Sequence, residues 1–187
     1  MRRLTEMSLE ELWELFPIYL TEHQDCWSKW YEEEVNELKH ILPAQYDLRI
    51  NHIGSTAIHG IWAKPIIDIL IEAPNVNILK NIKDKLTING YICMFESPNR
   101  ISLNKGYTEK GFAERVYHIH LHLTNDNDEI YFRDYLNMHI ETAKLYEKLK
   151  ISLWEKYEHD RDKYTEGKTD FVTKYTQLAK KQTNGKS

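Results

Sequence analysis

The sequence predicts an α+β fold, a mixed β-sheet flanked by helices and preceded and followed by helical segments. Three observations carry this. The apolar period is helical up to residue 41, becomes two from Tyr46, and returns to helical after a polar turn at residues 124–128. The 187 residues are 41% hydrophobic, with five Trp, twelve Tyr and five Phe. That is enough to build one sizeable core, so a disordered chain is excluded. Seven Gly and five Pro leave no room for a collagen-like or low-complexity chain. One domain is expected over residues 1–180, with a polar tail at 181–187.

Each element has a local reason. Ser8 caps a first helix carrying Leu9, Leu12, Trp13 and Phe16 on one side, and Pro17 ends or bends it. Trp27, Trp30, Tyr31, Val35, Leu38 and Ile41 form the stripe of a second helix, read as core packing, with Pro43 beyond its end. Leu48, Ile50 and His52 alternate with polar neighbours as a strand running into Gly54-Ser55-Thr56. Pro65 opens a second strand over residues 66–72. An amphipathic helix bearing Ile78, Leu79, Ile82 and Leu86 follows, stopped by Gly90. Residues 91–95, 100–103 and 115–123 read as three more strands, the last two joined by a polar link at 104–111. Phe132, Leu136, Ile140, Ala143, Leu149 and Leu153 mark one or two helices to about Glu158, and Thr169 caps a last one.

Lys plus Arg is 25 and Asp plus Glu is 29, a net charge of −4. This argues against duplex DNA as a partner, which demands a strong basic footprint, but leaves room for a small basic pocket. Cys26 and Cys93 form no CxxC pair, so neither a disulfide framework nor a thiolate zinc site is signalled. The longest apolar run, residues 66–71, is interrupted by Asp68 and is far short of the roughly 20 residues needed to cross a bilayer. No membrane partner is expected, and a cytoplasmic setting is the expectation.

The chemistry concentrates in three places. Gly54-Ser55-Thr56 is a small turn whose backbone N–H groups can approach a phosphate closely. Asp68, inside an otherwise apolar strand, can hold a divalent cation against that phosphate. His118, His120 and His122 share one face of a strand, opposite Tyr117, Ile119, Leu121 and Leu123. If the Asp and His strands are neighbours, one cleft holds both, with His52 at its rim. Two readings of the histidines stand: ligands of a metal or substrate, or a row of hydrogen-bonded surface imidazoles. Glu72 shares the parity of Asp68 but lies roughly 13 Å along the strand, too far for the same ion. Lys64 and Arg115 are candidates to neutralise a phosphate, or else solvated. Arg133 and Asp134 read as a helix-surface ion pair.

These segments resemble the GrpB family, within the nucleotidyltransferase superfamily. The resemblance is carried by residues 53–57 (IGSTA), 63–70 (AKPIIDIL), 118–122 (HIHLH) and 132–136 (FRDYL), with Tyr164, Lys168 and Phe171 extending it over roughly residues 45–175. It implies the nucleotidyltransferase fold, with a phosphate-binding Gly-Ser loop and a metal-binding carboxylate strand. It also implies Lys168 as an anion contact brought over the cleft by the last helical segment. In the wider superfamily the carboxylate strand usually carries two acids two residues apart; here Leu70 fills the second place.

The expected function is a metal-dependent nucleotidyl or phosphoryl transfer with Mg²⁺, Mn²⁺ or Zn²⁺ and a nucleoside triphosphate. Gly54, Ser55 and Thr56 cradle phosphate, Asp68 with the histidines holds the ion, and Lys64 offsets developing charge. The alternatives are a non-catalytic module binding a nucleotide or phosphorylated metabolite, favoured by Leu70, and a histidine-based metal hydrolase. The sequence leaves the acceptor and the oligomeric state open.

Overall fold

The computed structural model describes residues 3–184. The polar residues 185–187 fall outside that range. Helix α1 (Leu9–Leu15) opens on Ser8, whose hydroxyl accepts from the Glu11 N–H while the Glu11 carboxylate accepts from the Ser8 N–H. This reciprocal pair satisfies donors that a helix start otherwise leaves open. Helix α2 (Cys26–Ile41) buries Trp27 and Leu38.

Among the described residues the strands form one five-stranded sheet in the order β1-β2-β5-β4-β3. Its strands are β1 (Arg49–Ile53), β2 (Ile66–Ala73), β3 (Ile92–Glu96), β4 (Arg100–Thr108) and β5 (Gly111–Leu123). β2 and β5 run parallel at the centre, and the other neighbours are antiparallel. Helix α3 (Val76–Ile88), capped by the Asn75 side chain on the Ile78 N–H, lies in the crossover. Helices α4 (Asp128–Met138), α5 (Ile140–Tyr157), α6 (Arg161–Glu166) and α7 (Thr169–Asn184) complete the chain.

The fold class is α+β, as the change of period implies. Strand parity decides where the core sits. Ile67, Ile69 and Ile71 of β2 join Tyr117, Ile119 and Leu121 of β5 on one face. That face packs on Trp27 and Leu38 of α2 and on Leu79, Ile82 and Leu86 of α3. The opposite face looks toward the C-terminal helices, which have a smaller core of their own around Phe132, Leu136, Ala143 and Tyr146. No helix of the described residues is long and apolar enough to cross a membrane.

Three local expectations differ from the structure. Residues 104–111 are not a polar link: β4 continues to Thr108 and turns directly into β5 at Gly111, whose φ is +105°. Tyr107 pairs with Phe112 across the turn, so cross-strand pairing outweighs the polar composition here. Helix α6 is too short to show an apolar period in the sequence. The last helix also extends through Asn184, with residues 181–183 exposed on it, rather than fading after Lys180.

Candidate functional site

The parallel β2–β5 pairing sets Asp68 beside His118, Leu70 beside His120 and Glu72 beside His122. All six side chains share the face turned away from the α2–α3 core, because they alternate with the residues buried there. At the first of these rungs one carboxylate oxygen gathers two imidazoles. His120 Nε2 lies 2.9 Å from Asp68 Oδ1 and His118 Nδ1 lies 3.5 Å from the same oxygen. The donor atoms of Asp68, His118 and His120 all stand within 4.8 Å of one another, a grouping that could hold a metal ion.

Gly54 makes this arrangement possible. Its φ is +72°, and a methyl group there would run into the Asp68 carboxylate. Only glycine therefore fits both the backbone conformation and the contact. Ser55 lies beside it on the cavity wall and meets the Tyr146 hydroxyl.

The cavity above this rung has a volume of about 410 Å³. Three cations line it, Lys64 from the approach to β2, Arg161 from α6 and Lys168 from the start of α7, together with the acids Asp128 and Glu129 at the start of α4. Both lysine Nζ atoms lie over the Tyr164 ring, at 5.1 Å for Lys64 and 4.5 Å for Lys168. Phe132, Tyr146 and Val172 supply apolar wall.

Electrostatics follow from this geometry. Burial alone would raise the Asp68 carboxyl, but hydrogen bonds from His118 and His120 outweigh it and hold the group ionised, well below the usual carboxylate range. Burial lowers His118, whereas the bond to Asp68 overcomes burial at His120 and raises it. Burial, together with the neighbouring Lys168 and Arg161, brings Lys64 down to about 7. Burial likewise brings Lys168 down to about 8. Among the described residues none of these three cations has a carboxylate in ion-pairing contact.

Of the residues singled out by sequence, Gly54, Ser55, Lys64, Asp68, His118, His120 and Lys168 line this one cavity. Four others lie elsewhere. The His122 imidazole is buried and bonds to the Asp126 carbonyl at 2.8 Å, because the loop after β5 folds back under it. Thr56 is turned inward, its hydroxyl donating to the Ile66 carbonyl at 3.1 Å. That leaves its oxygen to accept from His52 Nε2 at 2.9 Å. His52 is not at the rim: it pairs with Ile69, so it faces α2, where it stacks on Tyr31 and burial lowers it to about 4. Arg115 has the parity of the core face, pairs with Glu33 and lies over the Trp30 ring of α2.

Sequence reasoning passed over Tyr107, Tyr146, Arg161 and Glu129. The Tyr107 hydroxyl lies 2.8 Å from His118 Nε2, and Arg161 Nη2 donates to that hydroxyl at 3.4 Å. Glu129, at the start of α4, lines the cavity with a buried carboxylate oxygen that has no hydrogen-bond partner. None of the four has a local sequence signal, since each reaches the site only through tertiary packing. Arg133 does pair with Asp134, and also donates to the His52 carbonyl at 2.7 Å, tying α4 to the end of β1.

With the geometry in place, comparison with known proteins is decisive for kinship. The family model described as GrpB protein matches residues 17–178. The chain belongs to the GrpB family. The Bacillus subtilis relative named UPF0157 protein YqkA is 30% identical across 88% of this chain, which spans 48% of that relative's length. The crystal structure of the conserved protein GrpB from Enterococcus faecalis superposes with a TM-score of 0.76 at 30% identity, over 88% of this chain and 98% of that one. A cytoplasmic RNA terminal U-transferase shares the fold at a TM-score of 0.52 and 14% identity, over 72% of this chain and 42% of that one. The GrpB fold is therefore nucleotidyltransferase-like.

Proposed function

We propose that the cavity binds a nucleotide or related phosphorylated small molecule together with a divalent metal ion, and transfers its nucleotidyl or phosphoryl group to an acceptor. The observation that carries this is the convergence of Asp68, His118 and His120 with Lys64, Arg161 and Lys168 in one cavity. The nucleotidyltransferase-like fold supports it. An anionic carboxylate and two imidazoles are a suitable donor set for one ion. They do not make a two-ion site, because Leu70 occupies the place of a second acid and is fully buried.

Asp68, His118 and His120 would hold the ion, which when bound supplies Lewis-acid stabilisation of charge on a phosphoryl oxygen. The chain's own residues do the rest. The turn at Gly54 and Ser55 brings backbone against the phosphate without an intervening side chain. Lys64, Lys168 and Arg161 neutralise the oxygens from the other side. They are fixed before the ligand arrives, so little reorganisation accompanies charge development. Tyr146 and Tyr164, both buried, exclude water behind the phosphate. A second reading, binding without turnover, is favoured by the single acid on β2.

Calorimetric titration of the four ribonucleoside triphosphates with Mg²⁺, Mn²⁺ or Zn²⁺, paired with assays for both possible leaving groups, pyrophosphate from nucleotidyl transfer and nucleoside diphosphate from phosphoryl transfer, tests the proposal. Metal-dependent binding with release of one of the two is the expected result. Binding with release of neither would assign the non-catalytic reading. No binding with any of the metals would overturn both.

A further inference from the structure

We infer that the cation site takes a single borderline transition-metal ion, of the Zn²⁺ or Co²⁺ type, in preference to Mg²⁺, and that Tyr107 positions the His118 donor for it. This rests on the metal-binding part of the proposed function and deepens it.

Donor chemistry is the first ground. Mg²⁺ prefers oxygen, sheds water reluctantly and is normally held by one or two carboxylates plus phosphate. Two imidazole nitrogens and one carboxylate oxygen match the softer first-row ions instead. Two atoms sharing such an ion stand at most about 4.2 Å apart, since each bond is about 2.1 Å. Asp68 Oδ1 is 2.9 Å from His120 Nε2 and 3.5 Å from His118 Nδ1.

The second ground is that His118 is oriented from behind. Metal-bound histidines depend on a partner at the other ring nitrogen to fix tautomer and ring angle. The Tyr107 hydroxyl sits 2.8 Å from His118 Nε2, with the two rings stacked at 5.8 Å. Tyr107 is itself wedged between Phe16 of the α1 end and Phe112 of β5, with ring centroids 4.8 and 5.2 Å away. A hydroxyl both donates and accepts. Without an ion it can donate to Nε2 while Nδ1–H faces Asp68. With an ion held at Nδ1 it would accept from Nε2–H and leave the Nδ1 lone pair to the metal.

The third ground is the ion count. Leu70, whose parity points toward the cavity, is 0% exposed and closes the place where a second acid would stand.

The test uses the full chain stripped of metal by chelator, without nucleotide, titrated with ZnCl₂, CoCl₂ and MgCl₂ by calorimetry and followed by thermal shift. The expected result is one Zn²⁺ or Co²⁺ per chain, bound at least a hundredfold more tightly than Mg²⁺, with visible ligand-field absorption for Co²⁺. His120→Gln should abolish this binding. Tyr107→Phe should weaken it about tenfold while leaving the far-ultraviolet dichroism unchanged. His122→Gln should bind as the parent does. Equal or tighter Mg²⁺ binding, two ions per chain, or undiminished binding by His120→Gln would overturn the inference. Because no nucleotide is present, failure of Zn²⁺ and Co²⁺ to bind here would sink this inference, while triphosphate binding found separately with Mg²⁺ would leave the proposed function standing.

Discussion

Two rungs of the same strand pair, four residues apart, carry nearly the same chemistry and end up with different fates. Asp68 beside His118 opens onto the cavity, while Glu72 beside His122 is sealed. At the sealed rung every need is met locally. Glu72 accepts from the Asn125 N–H at 2.9 Å and the Asn127 side-chain amide at 3.1 Å, and His122 bonds the Asp126 carbonyl. At the open rung the acid and imidazoles bond chiefly to one another and share a cavity with Lys64, Lys168 and Arg161. A buried acid–histidine rung is scaffold when the loop beside it supplies its partners. It is a candidate site when it lines a cavity that also gathers cations.

The largest test of that difference removes each acid in turn. Asp68→Asn should reduce metal affinity more than a hundredfold with little loss of stability, because the carboxylate it removes is the shared donor. Glu72→Ala should do the reverse, leaving metal affinity intact while costing about 3 kcal/mol in denaturant unfolding, from an unpaired Asn125 amide and a cavity. Equal effects of both variants on metal binding would erase the distinction. Gly54→Ala comes next: the +72° backbone and the contact with Asp68 predict a loss of about 2 kcal/mol together with weakened metal binding.

The cationic wall sharpens the contrast through pH. Lys64 and Lys168 must be protonated to attract an anion, and burial sets them at about 7 and about 8. Affinity for pyrophosphate should therefore fall several-fold as pH rises from 6.5 to 9, and Lys64→Met should flatten the lower part of that profile. The stability sign is opposite. The unfolded chain keeps these protons up to about 10.5 while the folded chain releases Lys64's near 7, so this pair adds stability as pH rises through that window. The smallest effect belongs to Arg115→Ala. Its exposed ion pair with Glu33 lies on the far side of the sheet, so stability should stay within about 0.5 kcal/mol and ligand binding should not change.

How much of this was legible in the sequence follows the same contrast. Period two on residues 66–72 and 115–123 is enough to put Asp68, His118 and His120 on one face. The Gly-Ser turn before the Asp strand is equally plain in the sequence, and Gly54 and Ser55 line the same cavity. Parity also argues against Arg115, which alternates with the histidines and so belongs to the α2 face. What parity cannot show is closure. His122 has the right parity and the wrong neighbourhood, because residues 125–127 come back under the sheet after a left-handed Asn125 at φ +72°. Tyr107 and Arg161 were hidden for related reasons. One lies in a polar stretch that becomes strand only by pairing, and the other in a six-residue helix whose place is set by packing.

The most direct test of the central claim is anomalous diffraction from crystals soaked with Mn²⁺ or Zn²⁺ and a non-hydrolysable nucleoside triphosphate. The account predicts one metal peak among Asp68, His118 and His120, with phosphate density against Lys64, Lys168 and Arg161. A peak at Glu72 and His122, two peaks in the cavity, or phosphate bound away from the lysines would contradict it.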